Sequence, residues 1–289
     1  IDLSAGFVQR IGAALIGDSE LIVSVGGQAG LQLDGARLAA PIISFNAWDG
    51  GVSAPAAVVE AATLAINAGG AVDLTTNVSA LQVFTTGGHE VLISNLGLGD
   101  LDLVEVADTG GLSIQSEGLV VARNVSADAI AIEAGGDLQI GVLDSNGLVD
   151  LNAGREIQDL GETSVDAGSV TLSAGGEIQV SQVGWEVDQG ITVNANLNIF
   201  LDDTGSLPDG DLVRTTTHDI IIDTAIELAG TVQLNARNII FTENGSIRST
   251  SPNTVILNAS EMIDFGSRAT EGTILESPSI ILDAAIIRG

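Results

Sequence analysis

The sequence predicts an all-β fold, a right-handed parallel β-helix solenoid with roughly thirteen coils of about 21 residues each. Three observations support this prediction: the composition, an internal repeat and a recurring polar column. Apolar residues make up 45% of the 289 positions and aromatic residues only 3%, so the core must be built from Ile, Val, Leu and Ala. Glycine occurs 36 times, nearly double its usual share of about 7%, which indicates many turns between short strands.

An alanine that ends an apolar strand pattern recurs along the chain and anchors the repeat. Large apolar residues stand two and four positions before every anchor, which is the period of a strand with one buried face. Most intervals between anchors run from 19 to 25 residues, and the two longer ones fit two and three units. The anchors are Ala47, Ala68, Ala134, Ala153, Ala174, Ala195, Ala236, Ala259 and Ala284.

Weaker copies of the unit are expected in the long intervals. Thr85 stands where the copy after Ala68 should end, and Ile220 and Ile222 are expected to supply the copy before Ala236. A unit of this length fits two or three short strands, and it buries its apolar face only when successive units stack at about 4.8 Å. Parallel connections strongly favour a right-handed path, which sets the expected hand of the winding.

The residue before the anchor forms the polar column. It is asparagine in most copies, and Glu133, Ser173 and Asp283 take its place in the others. Amides that stack at strand spacing hydrogen-bond from one coil to the next. The sequence therefore predicts a structural asparagine stack, whose members are Asn46, Asn67, Asn152, Asn194, Asn235 and Asn258.

The repeat also sets the expected domain organisation. Residues 1–20 precede the clear copies, and we expect them to be a capping segment or the continuation of a longer chain. Residues 21–289 are expected to form one continuous repeat domain. One stretch departs from the strand pattern: the alanine-rich residues 53–62 read as a short capped helix, which predicts a helical excursion between coils.

Charge and missing residue types exclude several classes of function. The chain has 38 acidic and 9 basic residues, a net charge of −29, and every basic residue is arginine. Without Cys or Lys it has no disulfide, thiolate metal site, cysteine nucleophile, Schiff base or P-loop. Nucleic-acid binding is not expected, because it requires clustered Lys and Arg. No apolar run approaches 18 residues, so we expect no membrane span.

Asp202 and Asp203 form the best carboxylate pair for a polysaccharide-acting enzyme with this fold. Neighbouring residues on a strand point to opposite faces, so the pair could act only at a turn, and we expect a solvated turn and no catalytic residues. His89 lies in Gly88-His89-Glu90, a poor match to the Gly-His-Gly motif of pectin-degrading hydrolases. About six coils separate His89 from His218, too far to share a metal, so both are expected at the surface.

Calcium is the cation that the composition favours, because the chain offers many carboxylates. The repeat-toxin motif Gly-Gly-x-Gly-x-Asp is absent, so we expect no cofactor beyond Ca²⁺ bound weakly by stacked acids such as Asp73, Glu156 and Glu177. Whether a dedicated metal site exists stays open. Trp48 directly follows an anchor, and Trp48 and Trp185 are candidate sugar-stacking platforms; the alternative is that they pack in loops or over coil edges.

The repeats resemble those of filamentous-haemagglutinin-type exoproteins, the large adhesins of bacterial two-partner secretion. The resemblance is clearest in residues 170–178, Val-Thr-Leu-Ser-Ala-Gly-Gly-Glu-Ile, and extends from about residue 20 onward. It implies a secreted, long and fibrous bacterial protein that is extracellular or attached to the cell surface. The amino-terminal secretion domain of that family is not recognisable in this sequence.

Together these features favour a non-catalytic structural or adhesive shaft, a stiff acidic rod that presents loops or distal domains. One alternative is a subunit of an extracellular filament, sheath or surface layer. The other is a polysaccharide-acting β-helix enzyme, either a lyase or hydrolase or a tailspike-like protein. The expected partners are cell-surface or matrix ligands or copies of the chain itself, together with divalent cations that screen its charge.

Overall fold

A computed structural model shows two compact units, Ile1–Gly147 (unit 1) and Leu148–Gly289 (unit 2), and each is described by itself. All regular elements in the described part of the chain are β-strands, and no helix there is long and apolar enough to span a membrane. The structure describes residues 2–5, 9–12, 14–28, 30–33, 35–97, 99–180, 185–188, 190–195, 199–201, 211–223, 225–249, 253–266 and 274–289.

The strands are short in some coils and long in others, where they run around a corner. The first thirteen are β1 (Asp2–Ala5), β2 (Gln9–Ile11), β3 (Leu15–Ile16), β4 (Glu20–Val25), β5 (Leu31–Leu33), β6 (Arg37–Ala39), β7 (Ile42–Ala47), β8 (Val52–Ala68), β9 (Val72–Thr85), β10 (Val91–Asn95), β11 (Leu101–Ser116), β12 (Val120–Ala134) and β13 (Leu138–Ala153). The others are β14 (Ile157–Ala174), β15 (Ile178–Gln179), β16 (Glu186–Val187), β17 (Gly190–Ala195), β18 (Ile199–Leu201), β19 (Asp211–Thr216), β20 (Asp219–Ile222), β21 (Ala225–Leu228), β22 (Val232–Phe241), β23 (Ser246–Ser249), β24 (Thr254–Asp264), β25 (Leu275–Glu276) and β26 (Ser279–Arg288).

Each strand pairs in parallel with the strand one coil further along. In unit 1, β4 pairs with β7, while β5 and β6 pair with successive parts of β8, so one coil has three faces. In unit 2, β17, β19, β22, β24 and β26 follow one another on one face. The predicted parallel β-solenoid is confirmed, with a spacing of about 21 residues and about eleven turns rather than thirteen. The hand of the winding stays a prediction.

The first strands belong to the same stacking pattern. β1, β2 and β3 pair in parallel with β4, β5 and β6, so the described part of residues 1–20 builds a coil of its own. The expectation of one continuous repeat domain over residues 21–289 stays a prediction.

Strand alternation places the core as the sequence predicts. In β7, Ile43, Phe45 and Ala47 are fully buried, and the residues between them face outward. In unit 2, Val255 and Leu257 of β24 are equally buried. Burial of a large apolar side chain contributes about 1.5–3 kcal/mol, so the repeated pattern is the main source of stability.

The alanine anchors of unit 1 belong to two stacks, which corrects the single column expected from the sequence. Ala47 pairs with Ala68, which pairs with Thr85, as predicted for that copy. Ala134 instead pairs with Ser116, in the stack that contains Asn95. In these coils two strands end in a small inward residue, so the anchor pattern occurs twice per coil. The single column expected from the sequence therefore combines residues of both stacks.

In unit 2, the copy before Ala236 was assigned to the wrong strand. Ile220 and Ile222 pair with Ile239 and Phe241 on a different face. The strand that fills the interval is β19, where Leu212 and Arg214 take the positions of the two large apolar residues. Arg214 breaks the apolar pattern at the second of these positions, so this copy is concealed in the sequence.

The helical excursion predicted for residues 53–62 is also wrong. These residues lie within β8, which is extended throughout. The pairing register shifts between Ala54 and Val59, in the segment that contains Pro55. A bulge at this point lets the strand accommodate a residue without an N–H donor, so the local helix signal yields to the pairing on both sides.

Candidate functional site

Polar side chains tie neighbouring coils together beside the buried anchors. In unit 1, the amide of Asn67 donates to Oδ1 of Asn46 at 2.9 Å, and the amide of Asn46 donates to Oγ of Ser24 at 3.4 Å. In the following coil Asn67 pairs in register with Phe84. The amide ladder of unit 1 therefore links three successive coils.

Unit 2 has a ladder of its own. The amide of Asn258 donates to Oδ1 of Asn235 at 2.9 Å, and the amide of Asn235 donates to Oγ1 of Thr215 at 3.2 Å. Asn194 pairs in register with Thr215 on one side and with Ser173 on the other. Asn152 precedes Ala153, whose carbonyl accepts a hydrogen bond from Gly175 at 3.0 Å.

Glu133 does not share a column with Asn46 and Asn67, contrary to the sequence alignment. It pairs with Gln115, whose amide donates to Oε2 of Glu133 at 3.2 Å. Both belong to the second stack of unit 1. Polar ladders therefore run beside each of the two anchor stacks.

Replacing Asn67 with alanine is expected to lower the free energy of unfolding by about 1 kcal/mol, because Oδ1 of the half-buried Asn46 loses its hydrogen-bond donor. Urea unfolding measures this change. Ser44→Ala, on the outward face of β7, is the control and should change stability by less than about 0.5 kcal/mol. Equal effects of the two variants would contradict a stabilising role for the ladder.

Several arginines pair with a carboxylate one coil away. Arg37 contacts Glu60 at 2.7 Å, and Arg123 contacts Asp102 at 2.8 Å. The hydrogen bond to the carboxylate, with its charge, raises the pKa of each of these guanidinium groups. Such exposed pairs add little stability, but they oppose slippage of one coil along the next.

Arg214 differs from these exposed arginines because it is fully buried in the core of unit 2. It lies between Val193 and Leu234 in the strand register. Its Nη1 donates to the carbonyl oxygens of Ile191 and Val213, both at 3.0 Å. Burial lowers the pKa of the Arg214 guanidinium to about 9. The strand pattern of the sequence did not predict this buried arginine.

A polar concave surface lies at one corner of unit 1 and is called the corner groove. It has a volume of about 520 Å³. Its walls come from three parts of the chain that are far apart in sequence. The residues that line it are Thr86, Gly87, Gly88, Ser126, Ala127, Asp128, Asp144 and Asn146.

Glycines form one wall of the corner groove. Gly87 and Gly88 have φ angles of 87° and 68°, a left-handed conformation that glycine adopts without strain. The carbonyl of His89 accepts a hydrogen bond from the amide of Gly110 at 2.8 Å, which holds this loop on the next coil. The loop therefore presents backbone groups and the hydroxyl of Thr86 to the groove.

The opposite wall carries carboxylate and amide groups. The amide of Asn146 donates to Oδ1 of Asp128 at 3.4 Å, and Asp128, Asp144 and Asn146 are all exposed. Ser145 is buried between them, donates to the carbonyl of Asp128 at 3.0 Å and accepts from the amide of Gly147 at 3.2 Å. Buried Ser145 thus fixes the turn that displays these polar side chains.

The two tryptophans have different environments. Trp48 is 62% exposed, as its position directly after an anchor suggested. Trp185 is 3% exposed in unit 2 and packs inside, so it cannot serve as a sugar-stacking platform there. Trp48 is the largest exposed apolar side chain among the described residues.

A second groove, of about 640 Å³, follows the asparagine ladder of unit 2. Asn235, Asn258 and Asp283 line it together with Arg237. The guanidinium of Arg237 is held by Asp219 at 3.0 Å. This groove contains no aromatic side chain, and its most prominent polar groups already bond to one another.

The predicted carboxylate pair, Asp202 and Asp203, lies outside the described residues. His89 is exposed at the end of the corner groove loop, and His218 lies in unit 2, where Nδ1 contacts Oγ1 of Thr217 at 3.2 Å. No described residue therefore supports the pectin-hydrolase motif.

The acids expected to bind calcium are distributed over both units. Asp73 is exposed on β9 of unit 1. Glu156 and Glu177 precede Ile157 and Ile178, which pair in register in unit 2, and Oε2 of Glu156 accepts a hydrogen bond from Gln158 at 2.7 Å. Among the described residues no three acidic or histidine side chains converge in a metal-binding arrangement. Weak Ca²⁺ binding stays a prediction.

Comparison with known proteins finds no matching family model, curated protein or solved structure.

Proposed function

We propose that this chain is a non-catalytic structural or adhesive shaft of a large secreted or cell-surface bacterial protein, in which a stiff acidic solenoid presents loops or distal domains. The observation that carries the proposal is the parallel stacking itself: within each unit, backbone pairing and buried apolar side chains join neighbouring coils, and polar ladders link some of them. Stacked repeats of this kind are stabilised by contacts between neighbouring coils, which suits an elongated supporting element. The likeness of its repeats to those of filamentous-haemagglutinin-type adhesins supports the same proposal.

The surface chemistry agrees with an extended molecule in a cation-rich environment. The formal charge is −29, and no Asp or Glu is among the buried residues in the described part of the chain, so most of this charge faces solvent. Like-charged molecules repel one another until counterions screen the field. We expect association through divalent cations to depend on this surface.

Calcium at low ionic strength is expected to increase light scattering by the purified protein, because it screens and bridges the acidic surfaces of neighbouring molecules. Magnesium at equal concentration and sodium at equal ionic strength separate specific bridging from general screening. Scattering that stays flat as calcium rises would contradict cation-dependent association.

A depolymerisation assay tests the non-catalytic part of the proposal. The purified protein is incubated with neutral and acidic polysaccharides, and reducing ends and unsaturated products are measured. We expect no turnover. Turnover that is lost in Asp202→Asn would establish the polysaccharide-acting enzyme instead.

A second candidate is a subunit of an extracellular filament, sheath or surface layer, in which neighbouring chains would continue the parallel pairing that joins successive coils within each unit. Electron microscopy of the native assembly decides: axial stacks of identical chains would support the filament and contradict the isolated shaft.

A further inference from the structure

The corner groove and Trp48 lie on the same corner of unit 1. Ala47, Ala68 and Thr85 pair in register on successive coils. Trp48 and Thr86 are the residues that directly follow the first and last of them. Two strand spacings place the backbone of Thr86 about 10 Å along the stack from that of Trp48.

A glycine stands between Trp48 and Thr86 in the register of this stack. Gly69 follows Ala68 on the intervening coil, and its amide donates to the carbonyl of Ala47 at 2.8 Å. A Cβ at Gly69 would lie 2.0 Å from the carbonyl oxygen of Trp48, so a side chain there cannot be accommodated. Position 69, between Trp48 and Thr86 in the register of the stack, therefore contributes no side chain to this corner.

Beyond Thr86 the same corner becomes polar. Val83 pairs with Val106 and Val106 with Val125, so Ser126 and Asp128 follow on the coil two steps further along. The carboxylates and the Asn146 amide there are exposed and offer both acceptors and donors. An aromatic face followed by hydroxyl, amide and carboxylate groups is the chemistry that recognises sugars, whose rings have apolar faces and hydroxyl edges.

Charge selects the class of sugar. The groove walls carry Asp128 and Asp144 and no basic side chain, and the whole chain has a formal charge of −29. Acidic polymers would be repelled, whereas neutral hydroxyl groups can donate to both carboxylates. The lining of the groove itself is polar apart from Gly87, Gly88 and Ala127, which disfavours a protein partner, although Val142, two residues before Asp144, is 43% exposed.

We propose that this corner of unit 1 binds a neutral linear glycan, with one sugar ring stacked on Trp48 and the following units hydrogen-bonded to Thr86, Asp128 and Asn146. The direction of the corner, along the coil stack, fits an extended polymer better than a compact ligand. A glycan site would supply the proposed adhesive function with a class of ligand. Its biological purpose rests on that proposed function, whereas the binding itself does not.

Tryptophan fluorescence tests the proposal directly, because the chain contains only two tryptophans and Trp185 is buried. The probes are cellohexaose, mannohexaose and maltohexaose, with hexagalacturonate as the acidic comparison. We expect at least one neutral hexamer to shift the emission and protect Trp48 from acrylamide quenching, while hexagalacturonate does neither. Isothermal titration calorimetry then gives the affinity without depending on the fluorophore.

Variants assign the signal to the site. Trp48→Ala and Asp128→Ala are each expected to weaken binding about tenfold or more. Leu96→Ala, which removes an exposed apolar side chain elsewhere in unit 1, is the matched control and should bind as the parent does. Circular dichroism confirms that each variant is folded. If Trp48→Ala proves unstable, acrylamide protection of the parent protein still tests the site.

Failure of all three neutral hexamers at millimolar concentration, or equal binding by Trp48→Ala, would overturn the glycan site. Tighter binding of hexagalacturonate would also overturn it, since the charge argument would then be wrong. None of these results affects the calcium test or the depolymerisation test, because neither test involves Trp48. The failure of this inference is therefore distinguishable from the failure of the proposed function.

Discussion

Replacing Arg214 with leucine is expected to raise the free energy of unfolding by about 1–4 kcal/mol. The guanidinium is fully buried, and burial lowers its pKa to about 9, so the folded state disfavours its charged form. Leucine restores the apolar residue that the stack contains at Val193 and Leu234. Urea unfolding at pH 7 measures the change.

Arg248→Leu is the matched control for the loss of one positive charge. Arg248 is exposed in unit 2 and lies 3.4 Å from Glu276, so its replacement should change stability by less than about 1 kcal/mol. A large destabilisation by Arg214→Leu would contradict the prediction. That result would mean that the hydrogen bonds made by the guanidinium outweigh the cost of burying its charge.

The pH dependence of stability gives an independent readout of the same residue. The folded pKa of Arg214, about 9, lies below the ordinary arginine value, so from pH 9 upward the unfolded state binds more protons. Stability must therefore rise with pH in this window, by up to about 1.4 kcal/mol per pH unit. The chain has no Lys, Tyr or Cys, so no other type of side chain titrates in that range.

Urea unfolding from pH 8 to pH 11 follows this effect. The parent protein should become more stable above pH 9, whereas Arg214→Leu should show a flat profile. A flat profile in the parent, or the same rise in both proteins, would show that Arg214 is not the titrating group. The absence of Lys, Tyr and Cys thus allows the stability in this pH range to report on Arg214.

The alternation of apolar and polar residues along the strands made the buried positions predictable. The alanine anchors did not show to which of the two stacks a strand belongs. In unit 1 the same small inward residue ends two strands of one coil, so Ala68 and Ala134 looked equivalent although they pair with Thr85 and Ser116. The period of the sequence pattern gives the number of residues in a coil. The face of the coil on which a strand lies depends on the corners between strands. Those corners vary in length, so the spacing of the anchors alone cannot distinguish the faces.

Arg214 could have been found from spacing alone. It lies 21 residues after Val193 and 20 before Leu234, the distances expected within one stack. An apolar residue is expected at this core position, because burying a cation costs free energy. The strand pattern therefore does not point to Arg214. Polar residues at core positions are detected only when the register is fixed by their neighbours.

The candidate site was predictable only in part. The exposure of Trp48 followed from its place directly after the anchor Ala47. The corner groove could not be predicted, since Thr86, Asp128 and Asn146 are separated in sequence and meet only through the pairing of their coils. Neighbouring residues in a solenoid come from one coil further along, and small shifts in register decide which side chains meet.

Gly30→Ala is expected to lower the free energy of unfolding by about 4 kcal/mol or more. Gly30 has a φ of 69°, and a Cβ there would lie 2.0 Å from the carbonyl oxygen and 2.7 Å from the amide nitrogen of Gly51. The two coils cannot separate easily, because the amide of Leu31 donates to the carbonyl of Gly51 at 2.9 Å. An alanine at position 30 therefore forces the backbones of the two coils to shift relative to each other. Urea or thermal unfolding measures the resulting loss of stability.

Gly35→Ala separates this clash from backbone strain. Gly35 has nearly the same conformation, with a φ of 65°, but a Cβ there would meet no atom within 4 Å. Its substitution should cost only about 1–2 kcal/mol, the penalty for a left-handed residue with a side chain. The excess loss in Gly30→Ala measures the close approach between coils. Equal losses in the two variants would show that conformation alone requires glycine, and that the coils yield enough to accept a methyl group.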